Sequence, residues 1–204
     1  PPYRLTKHIF IRDYDSHGEC KNWCTDVKEV FESLEMVHVF NNKDKCDLDY
    51  CKERLFHVAE EEWKTLVNEK PKLRTFVKFK DKLECSEYVK YITNRYERSM
   101  CAKLRCGILQ LHVETGRFNQ TKLEDRLCSL CNTAAIEDEF HFMCKCPGYC
   151  NSRRELYNCI ALKKPDFTLM SDEDKFKYLM TGHCYQVVKY IKSAWEQRKQ
   201  MLYR

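Results

Sequence analysis

The sequence has no apolar run approaching the roughly 18 residues that suggest a membrane-spanning helix. Its first residues, Pro1 to Lys7, lack the charged-then-apolar layout of a secretory signal. It also has no internal repeat and no low-complexity tract. A composition of 43% hydrophobic and 33% charged residues is ordinary for a folded chain, and 204 residues suffice for one domain or two small ones. We therefore expect an intracellular protein with no membrane partner.

Cysteine, in contrast, is abundant, with 14 residues. These cysteines lack the regular spacing of a small secreted framework, and no export signal accompanies them. We expect most of them to be reduced thiols that pack as small apolar side chains. A second metal site formed by His17, Cys20 and Cys24 is a weaker alternative.

One group of cysteines has metal-site spacing. Cys128 and Cys131 form a Cys-x2-Cys pair, His141 follows after nine intervening residues, and Cys146 after four more. Such a pair can direct two thiolates at one ion, and a His and a Cys about a helical turn apart can supply the other two ligands. The pattern predicts a Zn²⁺ site with Cys144 or Cys150 as alternative fourth ligands.

Four protein ligands would complete the coordination shell of zinc and leave no water for it to activate. The predicted site is therefore structural, and its task is to hold about 20 residues that have too little apolar mass to fold alone. Glu137, Asp138 and Glu139 suit the first turn of a helix that carries His141, and they can also orient its ring. A catalytic alternative, with Cys144 and His141 as nucleophile and base, would require an open metal position.

Charge is distributed unevenly along the chain. Residues 1–69 hold 10 basic against 15 acidic residues, whereas residues 70–204 hold 26 against 16. A basic surface beside a zinc module favours a polyanionic partner such as nucleic acid, and the alternative is an ordinary solvated face. Phe76 and Phe79 are candidate stacking platforms for exposed bases. The candidate contacts to nucleic acid are Lys72, Arg74, Lys78, Lys80, Arg95, Arg98, Arg105, Arg117 and Arg126.

Apolar residues recur at helical spacing through most of the chain, which predicts a mainly α fold. One amphipathic helix is expected from Trp23 through Val37 and a second from Leu48 to Asn68, joined by a polar break at residues 41–44 into a helical hairpin. A longer helix is expected from Arg95 to Val113, with Gly116 at its stop. We divide the chain into a connecting arm and acidic hairpin (1–69), a basic helical segment (70–127), the zinc module (128–150) and C-terminal helices (151–204).

Several short runs occur in an order that resembles one protein family. They are Lys72-Leu73-Arg74-Thr75-Phe76, Tyr91-Ile92-Thr93-Asn94-Arg95, Lys103-Leu104-Arg105-Cys106, His112 to Arg117, and the stretch from Cys128 through Ile136 to Phe142 and Cys146-Pro147-x-Tyr149. Together they resemble the C-terminal tail of non-LTR (LINE-type) retrotransposon reverse transcriptases. Segments around Asn22-Trp23 and Trp63 are similar to the region that links the polymerase thumb to that tail.

The resemblance implies a zinc-binding module that grips template RNA or target DNA, in the nucleus, the cytoplasm or both. It carries over Cys128, Cys131, His141 and Cys146 as metal ligands. The sequence departs from a complete element protein, because it contains no Tyr/Phe-x-Asp-Asp polymerase motif and no endonuclease carboxylate constellation. We therefore expect a non-enzymatic part of an RNA-directed DNA polymerase protein. The alternative is a structural tail that braces the polymerase domain without touching nucleic acid.

Overall fold

The computed structural model describes residues 5–42 and 47–202. Across these ranges the chain is mainly helical and forms no strand, although one isolated antiparallel bridge joins Leu127 and Ile136. The predicted mainly α fold with a small Cys3His cluster is confirmed. The chain divides into two compact units, Pro1–Trp63 and Lys64–Arg204.

The first unit is built from short helices and most of one long helix. Asn22 caps the second helix as predicted, since its side chain accepts the Thr25 N–H and the Thr25 hydroxyl accepts the Asn22 N–H. The break predicted at residues 41–44 lies partly outside the described residues, which omit 43–46. The helices are α1 (Leu5–Asp15), α2 (Trp23–Ser33), α3 (Val37–Asn42) and α4 (Leu48–Asn68), the last of which continues into the second unit.

The first amphipathic helix is shorter than its apolar pattern predicts. Glu35 takes a left-handed conformation with φ 60, its N–H bonds to the Glu32 carbonyl, and the Met36 N–H bonds to the Phe31 carbonyl at 2.8 Å. These two bonds form a Schellman motif, which ends α2. Because the left-handed residue is Glu and not Gly, no glycine marks this helix end in the sequence, and the chain continues as α3.

The second unit is a helical bundle centred on its last helix. Helix α10 packs against α6, α8 and α9, and its Ile191 and Ala194 are completely buried. The core also includes Leu104 of α6, Ile160 of α8 and Leu179 of α9. The helices are α5 (Tyr88–Tyr91), α6 (Arg95–Arg105), α7 (His112–Phe118), α8 (Cys150–Ala161), α9 (Asp172–Gly182) and α10 (Cys184–Leu202).

The helix predicted from Arg95 to Val113 is also interrupted. It ends at Arg105, and Gly107 adopts φ +68, a left-handed conformation that glycine takes without steric cost. A Cβ at Gly107 would lie 2.4 Å from the backbone oxygen of Lys72, so the position also permits close packing of two chain segments. Gly116, the predicted stop, lies inside α7.

The cysteines match the expectation in part, because Cys20, Cys85, Cys150 and Cys159 are exposed and not packed in the interior. In residues 5–42 and 47–202 they are all free thiols, and Cys24, Cys101 and Cys184 are buried. Cys46 lies outside those ranges. The helices of the same ranges include none with the length and apolarity needed to cross a membrane.

Candidate metal centre

A tight reversal of the chain positions the first two candidate ligands. The Leu127–Ile136 bridge is flanked by two backbone hydrogen bonds, from the Cys128 N–H to the Ala135 carbonyl at 2.8 Å and from the Glu137 N–H to the Arg126 carbonyl at 3.0 Å. These bonds fix the ends of the loop that contains the Cys-x2-Cys pair. The pair therefore projects from a short, hydrogen-bonded turn and not from a regular helix.

A widened helical turn positions the other two ligands. His141–Lys145 forms a π-helical turn, in which the Cys146 N–H bonds to the His141 carbonyl at 2.7 Å. In an α-helix, residues five apart differ by about 140° around the axis. The i→i+5 turn has more residues per revolution, so it brings side chains five apart closer to one side. The π-helical turn thus allows His141 and Cys146, five residues apart, to bind the same metal ion.

The four side chains converge on one point. The ligand atoms of Cys128, Cys131, His141 and Cys146 all lie within 4.8 Å of one another. The Cys128 and Cys146 sulfurs are 3.8 Å apart, and the Cys131 sulfur is 3.4 Å from His141 Nε2. Cys128, His141 and Cys146 are buried, and Cys131 is half-buried. This arrangement can hold a metal ion, and it comprises the four residues predicted from the spacing.

Electrostatics within the cluster favour cation binding. The hydrogen bond that the Cys128 thiol donates to the Cys146 sulfur, together with burial, raises the pKa of Cys128 to about 12. Contact with the Cys128 thiol raises the pKa of His141, whereas the Cys128 thiol and the Gly148 N–H lower the pKa of Cys146. The Cys128 and Cys146 thiols and the His141 imidazole thus compete for protons at close range. A divalent cation bound among them would displace those protons and remove the competition.

The acidic run beside the cluster has three different tasks. Asp138 Oδ1 accepts the backbone N–H of His141 at 2.7 Å, so it caps the turn and does not orient the ring. Glu137 is fully buried and forms a two-point ion pair with Arg198 of α10, one contact being Nη2 to Oε2 at 2.9 Å. Glu139, also fully buried, accepts from Arg74 at 2.8 Å and from the Thr75 hydroxyl at 2.7 Å.

The alternative fourth ligands lie outside the cluster. Cys144 is buried, and its low exposure to water raises its pKa to about 11. That pKa argues against Cys144 as a nucleophile activated by His141. Cys150 is exposed and contacts Asn151. Of the candidate fourth ligands Cys144, Cys146 and Cys150, the structure places Cys146 in the cluster.

The second metal site considered from the sequence is not formed. Within the described ranges, the cluster above is the one group of three or more His, Cys, Asp or Glu side chains with metal-binding proximity. His17 Nδ1 contacts the Tyr14 carbonyl, Cys20 is exposed, and Cys24 is buried. The alternative at His17, Cys20 and Cys24 was therefore wrong, because these side chains face different surroundings.

Three of the predicted contacts to nucleic acid, Arg95, Arg98 and Arg105, lie on α6 and have different environments. Arg95 is exposed, whereas Arg98 donates to the Ile92 carbonyl at 3.1 Å. Arg105 is buried, bonds to the Met180 carbonyl, and stacks on Phe79 with its guanidinium carbon 4.4 Å from the ring centre. Arg105 thus has a packing role, and its placement does not support the predicted phosphate grip by this trio.

The lysines and aromatics of residues 76–80 are also mostly committed to internal contacts. Lys80 pairs with Glu84 at 3.3 Å and has a side chain only 9% exposed. Lys78 lies over the Phe140 ring at 5.9 Å from its centre. Phe79 is buried and Phe76 packs against it edge-on, so Phe79 belongs to the core and the prediction that it is a stacking platform was wrong.

The remaining predicted contacts lie close together beside α7. Lys72 and Arg117 both pair with Glu114, at 3.6 and 3.0 Å. Arg74 pairs with Glu139, as described above. Arg126 donates to the backbone carbonyls of Thr121 and Val113. Arg74, Arg117 and Arg126 line one pocket.

Two contributors to this region were not identified from the sequence. Arg198 and Arg153 both support the metal cluster, the first through Glu137 and the second by donating to the Cys146 carbonyl at 2.7 Å. One signal existed for Arg198: it continues the stripe of Val188, Ile191 and Trp195, and an arginine on a buried helix face needs an acidic partner. The identity of that partner, 61 residues earlier, could not be read from helical spacing.

Comparison with protein-family models, curated proteins and solved structures found no match to this chain. The resemblance to retrotransposon reverse-transcriptase tails therefore remains a proposal. The geometry of the cluster and the charge of the surrounding unit are the two features of the chain that bear on its function.

Proposed function

We propose that this chain is a non-catalytic nucleic-acid-binding module whose fold is stabilised by one zinc ion. The supporting observation is the convergence of three thiolate-type ligands and one imidazole on one point. With Zn–S bonds of about 2.3 Å, two sulfurs at corners of a tetrahedron lie about 3.8 Å apart. The Cys128 and Cys146 sulfurs are 3.8 Å apart, which matches this edge.

Sulfur-rich coordination favours zinc over the hard cations Mg²⁺ and Ca²⁺, which prefer oxygen. Zinc held here would cross-link two chain segments. Cys128 and Cys131 would supply one side, and His141 and Cys146 the other. All four positions would then be occupied by protein, which supports a structural role without catalysis.

Nucleic acid is the favoured partner because of the charge of residues 70–204. Internal ion pairs consume one charge of each sign, so they leave the surplus of 26 basic over 16 acidic residues unchanged. Exposed cations such as Arg95 and Lys103 carry part of that surplus. A surface of this kind attracts phosphate backbones and binds them in a salt-dependent manner. The ordered runs that resemble retrotransposon tails support RNA or DNA as the partner, inside a longer polymerase protein that would act in the nucleus, the cytoplasm or both.

A second candidate function is a protein-docking tail that braces such a polymerase domain. One observation favours it: among the 21 residues of α4 only Val67 is buried, while Leu48, Leu55 and Phe56 are exposed. An apolar helix face of this kind suits a protein partner. This reading does not require contact with nucleic acid.

The test combines metal content with binding. Native mass spectrometry should find one zinc per chain, absent from Cys131→Ser and His141→Ala and retained in the matched control Cys150→Ser. Fluorescence anisotropy with single-stranded RNA and DNA, at about 50 and 200 mM salt, should show binding that weakens at the higher salt. Zinc without binding at low salt would favour the docking tail, and a wild-type chain without zinc would refute the metal centre.

A further inference from the structure

A pocket of about 290 Å³ lies in the second unit, between residues 71–74, α7 and the turn that precedes the metal cluster. Three of its six lining residues are arginines. None of the four cluster ligands lines it. The lining residues are Pro71, Arg74, Val113, Arg117, Leu123 and Arg126.

The charges around this arginine pocket do not cancel. Arg74 is paired with Glu139, while Arg117 and Lys72 share Glu114. Among the described residues Arg126 pairs with no carboxylate, and its hydrogen bonds are to backbone carbonyls. The lining thus contains three arginines and no carboxylate, and the two carboxylates that pair with Arg74 and Arg117 leave a surplus of one positive charge. Two further acids, Glu124 and Asp125, occupy the neighbouring turn but do not line the pocket.

Hydrogen-bond donors also remain available there. Nε of Arg74 is buried and has no hydrogen-bond partner in the described part of the chain. Arg126 directs one N–H from Nε and one from each terminal nitrogen to carbonyl oxygens, so it uses three of its five donors. An unsatisfied buried donor is unfavourable. A ligand rich in acceptor oxygens would satisfy these groups.

Two glycines allow the guanidinium groups to lie against the backbone. A Cβ at Gly116 would lie 2.8 Å from Cγ of Arg126, and a Cβ at Gly107 would lie 3.5 Å from both terminal nitrogens of Arg74. The arginines are thus held by close packing as well as by hydrogen bonds. Such preorganisation reduces the conformational entropy that binding would otherwise cost.

The geometry points to this pocket as a binding site for a phosphate group of a single-stranded nucleic acid. The inference rests on the proposed function and assigns it a location. Guanidinium groups bind phosphate oxygens through paired donors, which fits a site with three arginines and excess positive charge. Phe118 follows Arg117 directly and is 77% exposed, so it is available to stack on a base next to the bound phosphate. Free inorganic phosphate shares the same chemistry and is the competing source.

Arg117 is the residue to change, because its side chain is 38% exposed and its ion pair is with Glu114 alone. Arg117→Gln removes the charge, Arg117→Lys retains it, and Arg154→Gln makes the same change at an exposed position of α8. Affinity for a 12-nucleotide RNA is measured by anisotropy across a salt series. The slope of log affinity against log salt should fall by about 0.7 in Arg117→Gln, as expected for one lost phosphate contact to a single strand. Arg117→Lys and Arg154→Gln should keep the wild-type slope.

The results distinguish phosphate binding in this pocket from nucleic-acid binding elsewhere on the chain. Wild-type binding with equal slopes in Arg117→Gln and Arg154→Gln would overturn the pocket and leave nucleic-acid binding in place. A wild-type chain that binds no RNA would overturn both. Phosphorus NMR with inorganic phosphate provides the second measurement. If the wild-type chain binds no RNA but broadens the phosphate line, and Arg117→Gln does not broaden it, the pocket is a site for free phosphate only. Zinc content and circular dichroism check that each variant is folded.

Discussion

Replacing Arg198 by methionine should destabilise the second unit strongly. The change keeps a long side chain in α10 but removes the guanidinium that pairs with the fully buried Glu137. It also removes the donor to the Tyr149 hydroxyl at 3.2 Å. Glu137 would retain the backbone N–H of His112 at 2.8 Å as a partner. That hydrogen bond, with the longer contact from the Cys128 sulfur at 3.8 Å, cannot offset a charge with no counterion in the interior.

The magnitude follows from the type of contact. Removing one partner of a buried ion pair costs about 3–5 kcal/mol, because the remaining charge stays desolvated. The surviving bond from His112 places the expected loss at about 3 kcal/mol. For a unit of this size, each kcal/mol corresponds to roughly 2–4 °C in melting temperature, so we expect a decrease of about 10 °C.

The assay is urea unfolding of the wild type and Arg198→Met at pH 7 and equal free zinc, since bound metal adds to apparent stability. Lys199→Met is the matched control, because Lys199 is the next residue of α10 and pairs with Glu196 on the surface. It should unfold as the wild type does. A double variant, Glu137→Gln with Arg198→Met, removes both charges and should recover at least about 1 kcal/mol.

A loss below about 0.5 kcal/mol in Arg198→Met would refute this reasoning, since that is the range of ordinary surface substitutions. So would a double variant that is no more stable than the single one. Either result would mean that Glu137 is protonated or hydrated in the folded protein and needs no counterion.

Three further predictions concern separate features. Cys146→Ser should lose the metal, whereas Cys144→Ser should retain it with full stoichiometry in native mass spectrometry. Gly107→Ala should lower the free energy of unfolding by 2 kcal/mol or more, roughly, because the residue has φ +68 and the added Cβ would lie 2.4 Å from a backbone oxygen. Lys145 lowers the pKa of Asp172 below its usual 3.8, so this pair stabilises the fold above that pH and the contribution is lost on further acidification. Asp172→Asn should therefore flatten stability against pH below about 4 in acid titration.

The sequence was most informative where local rules act. Helical periodicity located α4 and α10 closely, and the Cys-x2-Cys spacing selected the residues that the structure brings together. It was less informative where the chain turns without its usual markers. Glu35 ends a helix in a position normally held by glycine, whereas Gly116, in a sequence context suited to a stop, lies within α7.

The sequence was least informative about the direction in which side chains point. Arg105 and Arg74 have the same sequence signature as solvent-exposed basic residues, yet one stacks in the core and the other pairs with buried Glu139. Glu139 lies 65 residues from Arg74, and Met180, whose carbonyl accepts from Arg105, lies 75 residues from it. Periodicity reports the face of a helix and cannot report which distant element covers it. For this reason the predicted basic surface is reduced to fewer exposed positions.

Helix α10 contacts the segment that carries the candidate metal ligands at two points. The Tyr190 hydroxyl donates to the Phe142 carbonyl at 2.5 Å, and Arg198, two turns later, holds Glu137. Proteolytic trimming that removed Arg198 and the residues after it would spare all four candidate metal ligands and still weaken their support. Native mass spectrometry of such a shortened chain would find all four candidate ligands present and less metal bound. The C-terminal residues therefore need protection from proteolysis during purification.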